Sequence, residues 1–186
     1  MTTVVAVCGS RRDGSHTKTA LEHALAAAEA AGADTDLIDL GAVDLPLYHP
    51  DEDAQGESAE LVRRVRDADG VILGSPVYHG SYSSTLKNFH DYCSGDDYED
   101  TVVGLLTVAG GSSYGATLEH MRSTVRNVHG WAIPQQVGIP RAYDQFEDGE
   151  LVEDGIRERI EALGRLVAEH ADAMSHGQAP FAACDD

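Results

Sequence analysis

The sequence predicts a single α/β domain built as a three-layer, doubly wound sandwich. Short apolar runs of strand length alternate along the chain with segments whose apolar residues recur at helical spacing. Strands joined in this way lie parallel, because each helix carries the chain back across the sheet in a right-handed crossover. The chain has 186 residues, of which 42% are hydrophobic, and this suits one domain with its own core. We expect a five-stranded parallel sheet in the order 2-1-3-4-5 with helices on both faces.

The first strand and the first helix differ in their apolar periods. Residues 4–8 form a continuous apolar run that ends at Gly9, as in a strand buried on both faces of a parallel sheet. Over residues 16–31 the apolar positions fall on one face of a helix, which Gly32 ends. The chain therefore begins with a strand, a glycine-containing loop and a helix.

The same alternation continues towards the C-terminus. The other predicted strands cover residues 35–40, 70–74, 101–108 and 131–137. The other predicted helices cover residues 58–67, 83–92, 114–128 and 151–174. A long polar loop with Pro46 and Pro50 separates the second strand from the second helix. We expect one domain over residues 1–176 and a loose tail over residues 177–186.

The strong negative charge limits the partners of the protein. The chain has 13 Lys and Arg against 32 Asp and Glu, a formal net charge of −19, which opposes binding along the phosphates of a nucleic acid. No apolar run has the length of a membrane span, and the first residues lack the basic region and cleavage site of a signal peptide. We therefore expect a cytoplasmic protein with neither a nucleic-acid nor a membrane partner.

The composition also resembles that of proteins from salt-loving organisms. Only Lys18 and Lys87 are lysines, whereas the other basic residues are arginines. At about 1 M salt the Debye length is only ~3 Å, so repulsion among many acidic groups is screened. The alternative is an acidic surface for a cationic partner, but the acids are dispersed rather than clustered. We expect a halophilic protein.

The cysteines do not form a recognisable site. Cys8, Cys93 and Cys184 are far apart, with no Cys-x-x-Cys pair and no Cys/His spacing typical of zinc. Cys8 lies inside an apolar run, as a small buried hydrophobic residue does. The sequence therefore predicts neither a disulfide framework nor a metal site.

Three loops should meet at one edge of the sheet, where ligands bind in doubly wound folds. The first, residues 9–17, leads directly into a helix, so that free N–H groups and the positive end of the helix dipole face a ligand. The hydroxyls of Ser10, Ser15 and Thr17 add donors, and Arg12 adds a charge-assisted hydrogen bond. We expect a phosphate to bind there, although Ser15 also suits a helix N-cap.

Two common phosphate-binding motifs do not fit this first loop. Gly9 and Gly14 have the glycine spacing of a nucleoside-triphosphate loop, but Ser15 and His16 stand where that loop needs Lys and Ser or Thr. The Gly-x-Gly-x-x-Gly pattern of a dinucleotide-binding fold is also absent. Any phosphate that this loop binds is therefore held without either motif.

The loops after the third and fourth strands combine glycine, hydroxyl and aromatic residues. Pro76 stiffens the exit of the third strand, Tyr78 offers a flat aromatic surface, and Gly80 lets the backbone approach a ligand. The loop after the fourth strand contains Gly110, Gly111 and two serines just before Tyr114. These features favour a planar ring as the ligand, with simple packing of the tyrosines as the alternative.

These motifs resemble one known family over nearly the whole chain. The sequences Gly9-Ser10-x-Arg12-x-x-Ser15 and residues 74–81 with Leu86-Lys87-Asn88, followed by the Gly110-Gly111 turn, are similar to those of the NADPH-dependent FMN reductases, which are flavodoxin-like proteins. The resemblance implies noncovalent FMN, NADPH or NADH as electron donor, and a homodimer or homotetramer. It also implies a small acceptor, such as a quinone, a flavin, an azo compound or a metal oxyanion.

The resemblance places the phosphate on the first loop and the isoalloxazine ring against the other two. The residues expected to contact FMN are Ser10, Arg12, Ser15, His16, Thr17, Pro76, Val77, Tyr78, His79, Gly80, Gly110, Gly111, Ser112 and Tyr114. Flavin chemistry requires no protein acid or base, so we assign no catalytic residue. Residues 45–57 and 93–100 are candidates to cover the flavin of the same or a neighbouring subunit.

Two other functions compete with a reductase. A flavodoxin-like electron carrier binds FMN without its own NAD(P)H turnover, but Arg12 in the phosphate loop favours the reductase. Low-molecular-weight tyrosine phosphatases place a cysteine after the first strand, with five residues between it and an arginine. Here Arg11 and Arg12 follow Cys8 after only two and three residues, so that spacing fails.

Overall fold

Five parallel strands form the central sheet, and their order confirms the prediction. The computed structural model describes residues 1–53 and 55–177. The strands are β1 (Thr3–Cys8), β2 (Asp34–Asp39), β3 (Gly70–Pro76), β4 (Val102–Val108) and β5 (Trp131–Ile139). Their order is β2-β1-β3-β4-β5, and every neighbouring pair is parallel. Strand β2 lies on one side of β1, and β3, β4 and β5 follow one another on its other side. The boundary between β1 and β3 is therefore the switch point of the fold, where the order in which strands are added changes direction.

Helices cover both faces of the sheet. They are α1 (His16–Ala30), α2 (Ser58–Arg66), α3 (Ser84–Tyr92), α4 (Gly115–Asn127), α5 (Ala142–Gln145) and α6 (Asp154–Ser175). Helices α1 and α6 pack on one face, where Leu21, Ile160 and Val167 belong to one buried cluster. Helices α2, α3 and α4 pack on the other, around Leu61 and Phe89. Strand β4 is buried along its whole length because both faces are covered.

The structure corrects several predicted boundaries. Strand β3 continues to Pro76 and β5 to Ile139, so both reach further towards the ligand-binding edge than their apolar runs suggest. The last helix begins at Asp154, because Leu151 pairs with Phe146 in a short antiparallel hairpin, β6 (Phe146–Glu147) and β7 (Glu150–Leu151). A 3₁₀ turn, Gly95–Asp97, follows α3. Of the expected tail, only Gly177 lies within the described residues, so the domain boundary stays a prediction.

No helix in the described part of the chain is both long and apolar enough to cross a bilayer.

Candidate functional site

A cleft of about 200 Å³ lies at the edge formed by the carboxyl ends of the strands. Its walls come from the loops that follow β1, β3, β4 and β5. The lining residues are Ser10, Arg12, Ser15, His16, Thr17, Pro76, Val77, Tyr78, Val108, Gly110, Ala142 and Tyr143. Three larger cavities lie elsewhere, but none is lined by these loops. The cleft is therefore the place where the fold and the candidate residues meet.

Close packing between β1 and α3 positions the first loop. The Gly9 N–H donates to the Gly74 carbonyl at 2.8 Å, and the Ser83 hydroxyl donates to the Gly9 carbonyl at 2.6 Å. A Cβ on Gly9 would lie 2.8 Å from Leu86 Cβ, so only glycine fits without a shift. The loop that precedes α1 is thereby tied to the start of α3.

The first loop presents donors suited to a phosphate. Ser15 caps α1, since its Oγ accepts a hydrogen bond from the Lys18 N–H at 3.2 Å. The first turn of α1 holds no acidic side chain, and its first N–H groups have no acceptor within the helix. Thr17 is only 2% exposed, and among the described residues its hydroxyl has no hydrogen-bond partner. These are the features of an anion site at a helix N-terminus.

Arg12 spans the opening of the cleft towards the loop after β5. Its Nη1 donates to the Tyr143 hydroxyl at 3.2 Å, and its guanidinium carbon lies 5.7 Å from the centre of the Tyr143 ring. The backbone N–H of Arg12 also donates to Ser10 Oγ at 3.3 Å. Tyr143 therefore holds a positive charge over the phosphate loop.

Tyr143, Ala142 and Val108 line the cleft but were missed by the sequence analysis. Val108 is the last residue of β4, and its place at the sheet edge follows from the strand alone. Ala142 and Tyr143 come soon after the end of β5 at Ile139. The signal that could have found them is position: any loop that follows a parallel strand reaches the same edge.

The loop after β3 forms a tight turn beside the cleft. Val77 N–H donates to the Val108 carbonyl at 2.8 Å, and Tyr78 and Ser81 exchange backbone hydrogen bonds of 2.9 and 3.0 Å. The two residues between them, His79 and Gly80, have φ angles of 50° and 78°, as a type I′ turn requires. Pro76, Val77 and Tyr78 consequently face the cleft, whereas His79 and Gly80 form the exposed tip.

The loop after β4 is fastened to the loop after β5. Arg141 N–H donates to the Gly111 carbonyl at 2.8 Å, and Ala142 N–H donates to the Ala109 carbonyl at 2.9 Å. Gly110 lines the cleft, where a Cβ would lie 3.8 Å from the Tyr143 ring. Two separate loops therefore form one wall.

Five predicted contact residues lie outside the cleft lining. They are His79, Gly80, Gly111, Ser112 and Tyr114. Tyr114 packs so closely on β5 that a Cβ on Gly138 would lie 2.0 Å from its ring, which is a packing role. Direct contact with FMN stays a prediction for these five residues and for the nine that line the cleft.

His16 is held beside the cleft by aromatic contacts. Its ring stacks on Phe146 with the centroids 4.3 Å apart and meets Tyr143 edge-on at 6.3 Å. Burial, and then the nearby charge of Arg12, lower the pKa of His16, so the imidazole is neutral at pH 7. The hairpin β6–β7, which carries Phe146, thus supports a residue of the first loop.

One of the two segments expected to cover the flavin lies at the wrong edge of its own subunit. Residues 93–100 follow α3 and precede β4, and Asp97 accepts a hydrogen bond from Arg66 Nε at 2.7 Å near the end of α2. This is the edge opposite the cleft. Residues 45–57 follow β2 at the edge that carries the cleft, and Asn88 Nδ2 donates to the Pro46 carbonyl there at 2.7 Å.

The cysteines of the described residues are not suited to nucleophilic chemistry. Cys8 and Cys93 are free thiols, and burial raises the pKa of both. A thiol that stays protonated cannot attack a phosphate ester. The phosphatase alternative therefore finds no support in this site.

Comparison with known proteins identifies the family. The sequence pattern of the NADPH-dependent FMN reductases matches residues 2–144. The chain belongs to this family. An FMN-dependent NADPH-azoreductase of Staphylococcus saprophyticus is 34% identical over 152 residues, covering 77% of this chain and 80% of that protein. An NADPH azoreductase of Bacillus sp. strain OY1-2 is 40% identical over 122 residues, covering 64% and 67%.

Two solved oxidoreductase structures show the same fold. The apo form of the NADH:FMN oxidoreductase EmoB superposes with a TM-score of 0.77 at 22% identity, covering 91% of this chain and 90% of that one. The NAD(P)H:acceptor oxidoreductase FerB of Paracoccus denitrificans superposes with a TM-score of 0.78 at 18% identity, covering 94% and 99%. The fold is therefore flavodoxin-like, as predicted.

Family membership makes FMN the cofactor and NAD(P)H the electron donor of this reductase. The residues of the cleft fit FMN in two ways. Hydroxyls, N–H groups and Arg12 meet the chemistry of its phosphate, and Pro76, Tyr78 and Gly110 offer flat surfaces for its ring. The hydrogen-bond donors and ring surfaces of the cleft thus agree with the cofactor that the sequence family implies.

Proposed function

We propose that the chain uses FMN, held noncovalently in the cleft, to transfer a hydride from NADPH or NADH to a small aromatic acceptor of the azo or quinone class. One observation carries the proposal: the loop after β1, which suits a phosphate, and the loop after β3, which suits a planar ring, line the same cleft. Arg12 and Tyr143 meet across its opening. The azoreductases among the relatives support an azo acceptor. Free flavins and metal oxyanions are further acceptors to assay.

The residues of the first loop hold the phosphate. Ser10, Ser15 and Thr17 lie in the walls of the cleft, where their hydroxyls and the first N–H groups of α1 donate to phosphate oxygens. Arg12 supplies the charge-assisted hydrogen bond. A local positive site is needed because the chain as a whole carries a charge of −19 and repels anions.

The other loops line the part of the cleft that would hold the ring. Pro76, Val77 and Tyr78 form one wall, and Gly110 lets the ring approach the loop after β4. Tyr78 and Tyr143 are 55% and 68% exposed, so their rings are available to contact an aromatic donor or acceptor. When FMN is bound, its ring supplies the hydride chemistry, and the chain's role is to bind, orient and shield it from water.

The acceptor class is tested by steady-state assays with FMN-loaded protein. We expect NADPH oxidation to accelerate when an azo dye such as methyl red or a quinone such as benzoquinone is added. The protein freed of FMN is the control and should be inactive until FMN is restored. A protein that binds FMN but oxidises NADPH with none of these acceptors would contradict the proposal and favour the electron carrier.

We further propose a homodimer or homotetramer located in the cytoplasm. The resemblance to the family supports the assembly, and NADPH as the donor supports an intracellular site. Light scattering after size-exclusion chromatography tests the assembly. A mass near 19.8 kDa, that of one chain, would contradict it.

A further inference from the structure

Five cations lie in the loops and first helical turns that follow the strands. Four of them have partners within the chain. The pairs are Lys18 with Asp39 at 2.9 Å, Lys87 with Asp91, Arg141 with Asp144 at 3.4 Å, and Arg12 with the Tyr143 hydroxyl at 3.2 Å. Arg11 is the fifth, and with the described residues its side chain makes neither an ion pair nor a hydrogen bond. Of these five cations, Arg11 is therefore the one whose side-chain N–H groups are all available to a ligand.

Arg11 forms part of a small pocket next to the FMN cleft. The pocket measures about 180 Å³, and Arg11 in its lining directly precedes Arg12, which lines the cleft. The other lining residues are Leu40, Leu45, Leu47, Ser84, Thr85 and Asn88. None of these residues is acidic, although the chain contains 32 Asp and Glu. The pocket thus combines a free guanidinium with apolar and hydroxyl-bearing walls.

The backbone around this pocket is held in place. A Cβ on Gly41 would lie 2.9 Å from the Ser10 carbonyl oxygen and 3.1 Å from Arg11 Cα, so the loop after β2 packs directly on the backbone of Arg11. Asn88 Oδ1 accepts a hydrogen bond from the Tyr48 N–H at 2.9 Å, and Asn88 Nδ2 donates one to the Pro46 carbonyl. These bonds fix residues 45–48 as one wall. The guanidinium therefore extends from a defined position.

We propose that Arg11 binds the 2′-phosphate of NADPH and so determines the preference for NADPH over NADH. The two dinucleotides differ only in that phosphate, and a planar guanidinium donates two parallel hydrogen bonds to phosphate oxygens. The chain's negative field opposes the more highly charged NADPH, and a local cation without an acidic partner offsets that opposition. The exposed Leu47 and the half-buried Leu45 provide an apolar surface for the adenine. This inference rests on the proposed function, because it assigns the donor subsite of the same reaction.

The first test is calorimetric titration of the FMN-loaded protein with 2′,5′-ADP and with 5′-ADP, which measures the subsite without turnover. We expect 2′,5′-ADP to bind about 10- to 100-fold more tightly. Arg11→Gln should abolish this difference, whereas the control Arg141→Gln, which removes the same charge at the same edge, should retain it. Equal affinity of the two nucleotides for the unaltered protein would overturn the assignment.

The second test is the anaerobic rate of flavin reduction by each dinucleotide. With Arg11→Gln we expect the NADPH concentration for half-maximal rate to rise about 10- to 100-fold, with an unchanged limiting rate and unchanged behaviour towards NADH. Equal losses with both donors, or equal losses in both variants, would overturn the proposal. If neither dinucleotide reduces the flavin while 2′,5′-ADP still binds through Arg11, the proposed function fails and the Arg11 assignment stands.

Discussion

At the scale of single residues, one side-chain contact joins distant parts of the chain at the opening of the cleft. Arg12 follows β1 and Tyr143 follows β5, and they meet through a hydrogen bond of 3.2 Å. Their roles differ: the guanidinium supplies charge for a phosphate, and the phenol holds it in position. This division makes the two residues separable by mutation.

Arg12→Ala should weaken FMN binding about 10- to 100-fold, since a hydrogen bond to a charged group contributes about 1.5–3 kcal/mol. Tyr143→Phe keeps the ring but removes the hydroxyl, so we expect a loss of less than about tenfold. The measurement is the Kd for FMN by fluorescence titration. Unchanged affinity in Arg12→Ala would show that the phosphate lies elsewhere.

His90 should make the folded state sensitive to acid. Its ring is 7% exposed, and neither nitrogen has a partner among the described residues. Burial, and then the charge of Lys87, lower the pKa of His90 to about 4 in the folded state. The unfolded chain takes up this proton near pH 6.5, so the contribution of His90 to stability falls below that pH and levels off near pH 4.

We therefore expect the free energy of unfolding to fall by about 2 kcal/mol more between pH 7.5 and 5 in the unaltered protein than in His90→Phe. Phenylalanine retains the stacking on Tyr98, where the ring centroids lie 5.6 Å apart. Urea denaturation at the two pH values measures the difference. The same pH dependence in both proteins would contradict the buried, neutral histidine.

At the scale of elements, most of the fold could be predicted and its small pieces could not. Most of the strands and the long helices have clear apolar patterns, and the expected strand order is the one observed. Each strand of the β6–β7 hairpin has two residues, too few to show a period. The sequence therefore predicts a helix at Leu151, where the structure has a strand.

The candidate site also has parts that the sequence predicts and parts that it does not. Ser10, Arg12, Ser15, Tyr78 and Gly110 line the cleft as expected, because local motifs mark the loops after β1, β3 and β4. Tyr143 was missed because its contact with Arg12 spans 131 residues of sequence, and no local pattern shows a contact of that range. His79 lies at the tip of a turn, outside the cleft lining, which residue spacing alone does not show, and its contact with FMN stays a prediction.

The contact between α1 and α6 offers a test of element packing. A Cβ on Gly164 would lie 1.9 Å from the Ala24 carbonyl oxygen, so Gly164→Ala must push the two helices apart. We expect a loss of about 1–3 kcal/mol in the free energy of unfolding. Gly155→Ala, in the exposed first turn of α6, is the control.

At Gly155 the nearest atom to an added Cβ is a Glu153 carboxylate oxygen at 3.4 Å. There alanine should be neutral or stabilise by up to about 1 kcal/mol, because it favours the helix over glycine. Thermal and urea denaturation of both variants give the comparison. Equal effects at the two positions would contradict the close packing of α1 on α6.

At the scale of the whole molecule, charge sets the conditions under which the fold is stable. The net charge of −19 produces self-repulsion that favours the unfolded chain at low salt. Added salt shortens the range of that repulsion, from about 10 Å at 0.1 M to about 3 Å at 1 M. The halophilic origin expected from the composition stays a prediction.

We expect the melting temperature to rise continuously from 0.1 M to at least 2 M KCl, by about 10 °C or more. Potassium chloride is the appropriate salt, because sulfate stabilises many proteins by exclusion from their surface. Differential scanning fluorimetry across the series checks this. A melting temperature that is flat or falls above 0.1 M would contradict a halophilic protein.

The central claim is that this chain binds FMN in the cleft and reduces it with NADPH. Its most direct test is the absorbance spectrum of the protein purified in high salt, recorded without oxygen before and after FMN and then NADPH are added. We expect bound flavin that bleaches rapidly with NADPH, and loss of the bound flavin in Arg12→Ala at concentrations that saturate the unaltered protein. Bound flavin that stays oxidised, or no flavin binding at all, would contradict the claim.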